Sequence, residues 1–318
     1  MCIFFILYII MNYKNIIYIL ALLIILSILG YYYKSKDDFD FVENFDNFSN
    51  YVLKESPDQI YNNFYSNVYD SLFHSDTKNQ FEIYNINNYT ISSNNPFKKS
   101  DIKFLDLGCG TGGHLNVLDK YKFEHIGIDK SMTMLEKART NCPSAPLVKG
   151  DFHNKSTFKN REFTHIWSFF FTIYYSKQPE IIFKNVNYWL KPKGFFCLHL
   201  VDKNKFDPVL ERASKLIPMF NPQKHSKDRI TKTKLKFNKF NYLADWEFHE
   251  DKAIFEENFM FSDNSKHIKH KHVLYIQHIK YYKKLAKKNG FELVKIIDLL
   301  PVNHDNNYVY IFQKKFGE

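Results

Sequence analysis

The sequence predicts an α/β fold: a doubly wound, mostly parallel seven-stranded sheet with an antiparallel last strand, an inserted α+β cap and an N-terminal transmembrane helix. Three observations predict the sheet. Phe104-Leu-Asp-Leu-Gly-Cys-Gly-Thr-Gly-Gly-His114 joins an apolar strand to four glycines within eleven residues. Strand and helix patterns then alternate from residue 102 to 201, which requires right-handed parallel crossovers. Two strand patterns separated only by a loop close the chain, and such a pair runs antiparallel.

In chain order, residues 1–33 carry a single charge, Lys14, and 16–33 is an uncharged run rich in Ile and Leu. Its 18 residues reach the lower end of the roughly 17–25 needed to cross a hydrocarbon core. Lys34 and Lys36 beyond it place the C-terminal bulk on the cytoplasmic side, attached to a membrane through this helix. Residues 34–57 read as a linker and 58–318 as the folded domain. Aromatic and apolar residues from Ile60 to Phe73 recur at helical steps, giving one amphipathic helix over about 58–81 with Asp58 near its start. Strands are expected at 102–107, 125–128, 147–148, 163–169, 195–201, 291–297 and 308–313, with helices at 112–121, 131–140 and 179–190. A cap insertion spans about 203–272: a helix near 207–217, then an antiparallel hairpin of 237–248 and 253–261. A helix from Val273 to Lys288 returns the chain to the sheet, with Asn289-Gly290 as its stop.

The formal charge is +10, and residues 203–290 hold 20 Lys and Arg against 10 Asp and Glu, which accounts for all of it. Only four of the 44 basic residues are Arg, and Lys, Asn, Ile, Tyr and Phe abound. A solvated basic face is therefore favoured over a nucleic-acid groove. The four cysteines are scattered, without metal-ligand spacing, and read as free thiols. His267, His270, His272 and His278 lie in a Lys-rich run whose spacing matches no familiar site, so no metal is expected.

Each parallel strand ends in a candidate ligand, where open α/β sheets bind their ligands. Gly108 and Gly110 let the backbone come close to a ligand. Asp129 lies nineteen residues after Gly110, where it can accept ribose hydroxyls. Asp151 and Phe152 can offer an acceptor and an apolar face to a purine, and Ser168 ends the fourth strand. The Gly-x-Gly-x-Gly spacing, with the acid Asp106 inside the loop, argues against a pyrophosphate and so against a nicotinamide dinucleotide. A carboxylate there suits a cationic cofactor, a requirement that S-adenosyl-L-methionine meets with its ammonium and sulfonium.

Asp106-Leu-Gly-Cys-Gly-Thr-Gly112, Gly127-Ile-Asp129-x-Ser-x-Met132, Gly150-Asp151-Phe152 and the Leu190-Lys-Pro-Lys-Gly194 turn resemble the motif series of the class I S-adenosylmethionine-dependent methyltransferases, over about 58–318. The resemblance implies that Gly108 and Gly110 lie under the methionine part, with Asp106 orienting the loop or the amino group. It also implies that Asp129 binds the ribose, Met132 packs on the adenine, and Asp151 with Phe152 contacts the adenine edge and face. Two positions depart from the family: Phe163-Thr-His165 stands for Phe-Asp, and Pro192-Lys-Gly194 for Pro-Gly-Gly. Phe169-Phe-Phe-Thr-Ile-Tyr-Tyr175 takes the place of an Asn-Pro-Pro-Tyr motif, which removes the signature of amino-group methylation of bases or glutamine.

Methyl transfer from a sulfonium is an in-line displacement in which positioning supplies most of the acceleration. His199 and Asp202 at the end of the fifth strand, and Tyr174 or Tyr175 after the fourth, are placed to act as a base where the acceptor must lose a proton, with Tyr174 and His199 taken as the candidates. The expected acceptor is a small molecule, a lipid or a protein rather than nucleic acid. A scaffold that binds the cofactor without turnover is the main rival, and a nicotinamide oxidoreductase the third reading.

Overall fold

The computed structural model describes residues 15, 17–29, 51–93, 96–210, 223, 226–263 and 266–315. Residues 17–29 are helical and exposed, and no helix among the described residues is long and apolar enough to cross a membrane. The other residues of the expected span, 16 and 30–33, lie outside the described residues, as do 34–50 of the expected linker.

Two sheets organise the rest. Strand β1 (Val52–Lys54) is followed by helices α1 (Pro57–Ile60), α2 (Asn63–Phe73) and α3 (Asp76–Asn87). Strand β2 (Lys103–Leu107) leads into α4 (Gly113–Tyr121), β3 (Glu124–Asp129) into α5 (Met132–Asn141), and then comes β4 (Leu147–Lys149). Strand β5 (Phe163–Ser168), α6 (Pro179–Trp189) and β6 (Leu190–Val201) complete the parallel part. Strands β7 (Thr233–Lys236), β8 (Phe240–Phe248), β9 (Ala253–Phe261) and β10 (His267–Leu274) build the second sheet. Helix α7 (Ile279–Lys288), β11 (Phe291–Asp298) and β12 (Asn307–Lys314) end the chain.

The larger sheet has seven strands in the order β11-β12-β6-β5-β2-β3-β4. Its five strands from β2 to β6 pair in parallel, and β12 is antiparallel to both β6 and β11. The strand order reverses between β2 and β5, which opens a crevice at their carboxyl ends. All six residues of β5 are buried, as a strand covered by helices on both faces must be.

The smaller sheet runs β1-β10-β9-β8-β7. The expected hairpin is its centre, with β8 and β9 antiparallel from Phe240↔Phe261 to Phe248↔Ala253. Its edge was unforeseen: Val52–Lys54, expected as linker, pairs in parallel with Ile268–His270. The expected helix from Val273 also begins later, because Val273 and Leu274 finish β10 and α7 starts at Ile279. Of the expected helix near 207–217, residues 207–210 are not helical and 211–217 lie outside the described residues.

The single helix expected over 58–81 is three. Asn62 accepts the N–H groups of Phe64 and Tyr65, and Ser75 accepts that of Lys78, so each caps a new start and breaks the one before. The breaks let α2 and α3 serve different neighbours. Phe64 and Tyr65 of α2 meet Phe259 edge-on in the second sheet, while α3 lies along α4 of the first. The N-terminal helices therefore bridge the sheets and roof the crevice.

Candidate active site

The glycine loop after β2 is folded onto the end of β3. The N–H groups of Gly108 and Cys109 both reach the Ile128 carbonyl, at 2.8 and 3.0 Å. Asp129 finishes the tie: its Oδ2 accepts the Gly110 N–H at 3.0 Å and its Oδ1 the Ser131 N–H at 2.9 Å. Gly108 and Gly110 have φ of +68° and +54°, conformations that side chains disfavour. A Cβ on Gly108 would lie 2.5 Å from Cγ2 of Thr172, so the loop is pressed against the segment after β5.

Three chambers open around this loop. One, of about 150 Å³, is lined by Gly110, Asp129, Met134, Phe152 and His153. A second, of about 70 Å³, is lined by Asp106, Gly108, Lys78, His114 and Phe169. The third and largest, of about 310 Å³, lies under the second sheet, among Phe73, Phe170, Phe171, Trp246 and Phe255. Tyr69 and Thr172 line all three, so the chambers meet there.

Asp106 is buried beside the second chamber, and its Oδ2 has no hydrogen-bond partner. Burial, with the charge of Asp129 nearby, pushes its pKa up to about 8. Close by, Glu82 accepts from Lys78 Nζ at 3.1 Å and pairs with His114 Nε2 at 2.8 Å. Burial alone would raise Glu82, but Lys78 and His114 outweigh it and hold the carboxyl well below its usual range. Helix α4 starts at Gly112 with no side-chain cap, leaving backbone N–H groups without a capping partner.

Among the sequence candidates, Gly108, Gly110, Asp129 and Phe152 line the 150 Å³ chamber. Asp151 does not line it: its Oδ2 pairs with Lys130 Nζ at 2.8 Å, and its Oδ1 meets the backbone N–H and Nδ1 of His153. Partial burial pushes Asp151 up, yet Lys130 and His153 bring it down to about 2. It thereby fixes the loop from which the Phe152 ring reaches the chamber. Ser168 is buried at the end of β5 and lines none of the three chambers.

Three candidates need correction. Met132 is 43% exposed and away from the chambers, while Met134 is buried and lines one. Ser131 caps α5 by accepting the Met134 N–H, and two residues along a helix turn about 200°, so Met132 points the opposite way. Tyr174 is fully buried: its hydroxyl accepts the Val201 N–H at 2.8 Å and its ring packs on Tyr282. Its neighbour Tyr175 faces the chambers instead. His199 is buried with Nδ1 on the Phe170 carbonyl at 2.9 Å and Nε2 against Asn307 Oδ1 at 3.2 Å. Burial lowers it to about 4, it lines none of the three chambers, and its hydrogen bond holds Phe170 in place.

Sequence reasoning missed the N-terminal roof. Tyr61, Tyr69, Asp70 and Lys78 all reach the chambers, and Asp70 clamps the glycine loop by accepting from Thr111 at 2.5 Å and from Asn141 at 3.1 Å. The Tyr stripe was visible as a helix face; that it lies over the crevice was not. Two of the four histidines set aside, His270 and His272, meet Glu257 with potential ligand atoms within 4.8 Å of one another.

Residues 105–198 match the family model described as a methyltransferase domain. Over 76 residues the chain is 36% identical to a dTDP-3-amino-3,4,6-trideoxy-alpha-D-glucopyranose N,N-dimethyltransferase from Streptomyces venezuelae, which covers 24% of this chain and 31%, about a third, of that relative's length. Among solved structures, the CcbJ methyltransferase from Streptomyces caelestis superposes with a TM-score of 0.59 at 14% identity, over 82% of this chain and 100% of that one. A sugar N-methyltransferase from Streptoalloteichus gives the same TM-score of 0.59 at 14% identity, over 84% and 98%. An amino pentose methyltransferase from Micromonospora echinaspora, solved with S-adenosylmethionine bound, gives 0.57 at 14% identity, over 79% and 97%. The fold is that of the class I S-adenosylmethionine-dependent methyltransferases, and residues 105–198 are the part that matches a methyltransferase domain.

Proposed function

We propose that the chain is an S-adenosylmethionine-dependent methyltransferase whose acceptor is an amine held in the aromatic cavity under the second sheet. The observation that carries this reading is the meeting of the three chambers at Tyr69 and Thr172, with the buried Asp106 carboxyl in the smallest. The residues present suit this cofactor. Asp106 Oδ2 is a buried acceptor open to an ammonium, and Lys78, His114 and the uncapped start of α4 suit a carboxylate. Asp129 keeps lone pairs for ribose hydroxyls, and Met134 and Phe152 offer apolar surfaces to a purine. When bound, the cofactor supplies an electrophilic methyl on a sulfonium. The chain's contribution is alignment and the exclusion of water, since an in-line displacement needs no protein nucleophile.

The acceptor class follows from the cavity walls. Phe170, Phe171, Trp246 and Phe255 line it with aromatic rings, and Asp70 and Asp207 add negative charge, a combination that favours a cationic or planar group. Among the described residues no Lys or Arg lines this cavity. The Streptomyces venezuelae relative is named for a nucleotide-linked amino sugar. The cavity suits the amine half of such a molecule better than its diphosphate. A membrane tether with a cytoplasmic catalytic domain rests on the apolar run 16–33 of the sequence alone, and carbonate extraction tests it.

Calorimetry with S-adenosylmethionine, its demethylated product and NAD, followed by transfer of labelled methyl to amines, tests the reading. Binding of the first two and labelling of an amine support it. NAD binding alone overturns it, and cofactor binding without transfer to any acceptor favours the scaffold.

A further inference from the structure

Strand alternation turns Tyr242, Glu257, His270 and His272 to the inner face of the second sheet, among Phe255 and Phe259, and all four are buried. A buried carboxylate is retained only when its oxygens are well paired. Glu257 accepts from Tyr65 Oη at 2.6 Å and Tyr242 Oη at 2.7 Å, and His272 Nε2 lies 2.7 Å from its Oε2. Burial pushes Glu257 up, but His270 and His272 hold it at about 2, so it is ionised and accepts the Nε2–H of His272. In the neutral ring Nδ1 is the acceptor, and the Tyr175 hydroxyl sits 2.7 Å from it. Tyr61 donates in turn to Tyr175 at 2.9 Å. Every bond points the same way, and Tyr61 and Tyr175 both line the cofactor chamber and the acceptor cavity.

We propose that Tyr61, Tyr175, His272 and Glu257 form a relay that takes the proton of an ammonium acceptor out of the cavity before methyl transfer. The proposal rests on the amine reading above. The acceptor gives one proton to Tyr61 Oη, Tyr61 passes its own to Tyr175 Oη, and Tyr175 passes its own to His272 Nδ1. Both phenols end neutral, His272 ends as an imidazolium against the Glu257 carboxylate, and the amine ends with a free lone pair. Product leaves as its methylammonium, and the imidazolium then returns the proton along the same chain to water entering the cavity. Burial pushes both phenols up, so they conduct as hydroxyls and do not ionise. The other titratable groups facing the relay are Tyr65 and Tyr69 from α2, Asp129 beside Tyr61, Tyr242 on β8, and His270, whose Nδ1 lies 3.6 Å from Glu257. This logic is that of a base oriented by an acid, with the tyrosines as the reach.

The test uses two probes in the full chain: phenethylamine, protonated at neutral pH, and aniline, neutral there. Tyr175→Phe breaks the chain while keeping the ring. It should lower kcat/KM for phenethylamine about 30-fold or more beyond its effect on aniline, a ratio from which any change in cofactor binding cancels. Loss of the rate should lessen as pH rises towards the amine's own pKa. His272→Gln should repeat the pattern, and Tyr175→Phe keeps the test open if that variant fails to fold. In ligand-free protein, histidine NMR should show His272 protonated on Nε2. An Nδ1–H tautomer, or equal losses with both amines, overturns the relay. Cofactor binding with neither amine methylated overturns the amine reading and the relay together, whereas no cofactor binding overturns the methyltransferase reading itself.

Discussion

Replacing Gly108 by Ala tests how the glycine loop is held. The new methyl would sit 2.5 Å from Thr172 Cγ2 and 3.0 Å from its Oγ1, with φ at +68°. The left-handed backbone costs an alanine about 1–2 kcal/mol. Overpacking adds about 1–3 kcal/mol, because a β-branched threonine has no χ1 rotamer that empties the space. Gly108→Ala should therefore lose about 2–5 kcal/mol in urea unfolding, and its affinity for the demethylated cofactor product should fall at least about tenfold as the loop shifts. Thr172→Ala separates the two causes, because it removes both offending atoms and leaves the threonine Cβ position 3.4 Å away, an ordinary contact. In the double variant the overpacking should vanish and the backbone cost remain, a coupling of about 1–3 kcal/mol. Additivity within about 0.5 kcal/mol would refute the idea that Thr172 braces the loop.

Three further outcomes follow from the site. Asp106 is raised from 3.8 to about 8 in the folded chain, so its contribution to stability is present below its unfolded value and lost as pH rises from about 4 to 8. Asp106→Asn should flatten that decline in pH-dependent unfolding, and should abolish the proton release that calorimetry in different buffers detects on cofactor binding at pH 7. Glu257 is lowered from 4.5 to about 2, so its contribution is present above its unfolded value and lost as pH falls through that window. Acid unfolding of Glu257→Gln should be correspondingly shallower between about pH 5 and 2. Trp246, stacked on Phe255 at 4.6 Å, forms a wall of the acceptor cavity alone. Trp246→Leu should raise KM for an ammonium acceptor about fivefold, from about 1 kcal/mol of lost apolar wall, and leave the cofactor Kd unchanged.

What the sequence revealed was local. Gly108, Gly110, Asp129 and Phe152 stand at strand ends where loop chemistry and register fix their place, and all four line a chamber. What it concealed depended on phase or on distance. Met132 and Met134, like Tyr174 and Tyr175, are separated only by which way a helical turn faces, and composition carries no phase. His199 sits at the expected strand end, but its hydrogen bonds to Phe170 and Asn307 use it structurally. Val52–Lys54 looked like linker because its partner, Ile268–His270, lies more than two hundred residues away. The breaks at Asn62 and Ser75 were legible in principle, since both are strong capping residues, but the aromatic stripe running through them gave a continuous helical period.

Tyr61 and Tyr175 belong to the lining of the cofactor chamber and of the acceptor cavity alike. The two ligands share this part of their walls, so the two binding equilibria are linked. Any factor by which a seated acceptor changes the affinity for cofactor must be matched by the factor with which cofactor changes the affinity for acceptor. Read thermodynamically, the two phenols are a shared boundary through which each site registers whether the other is full.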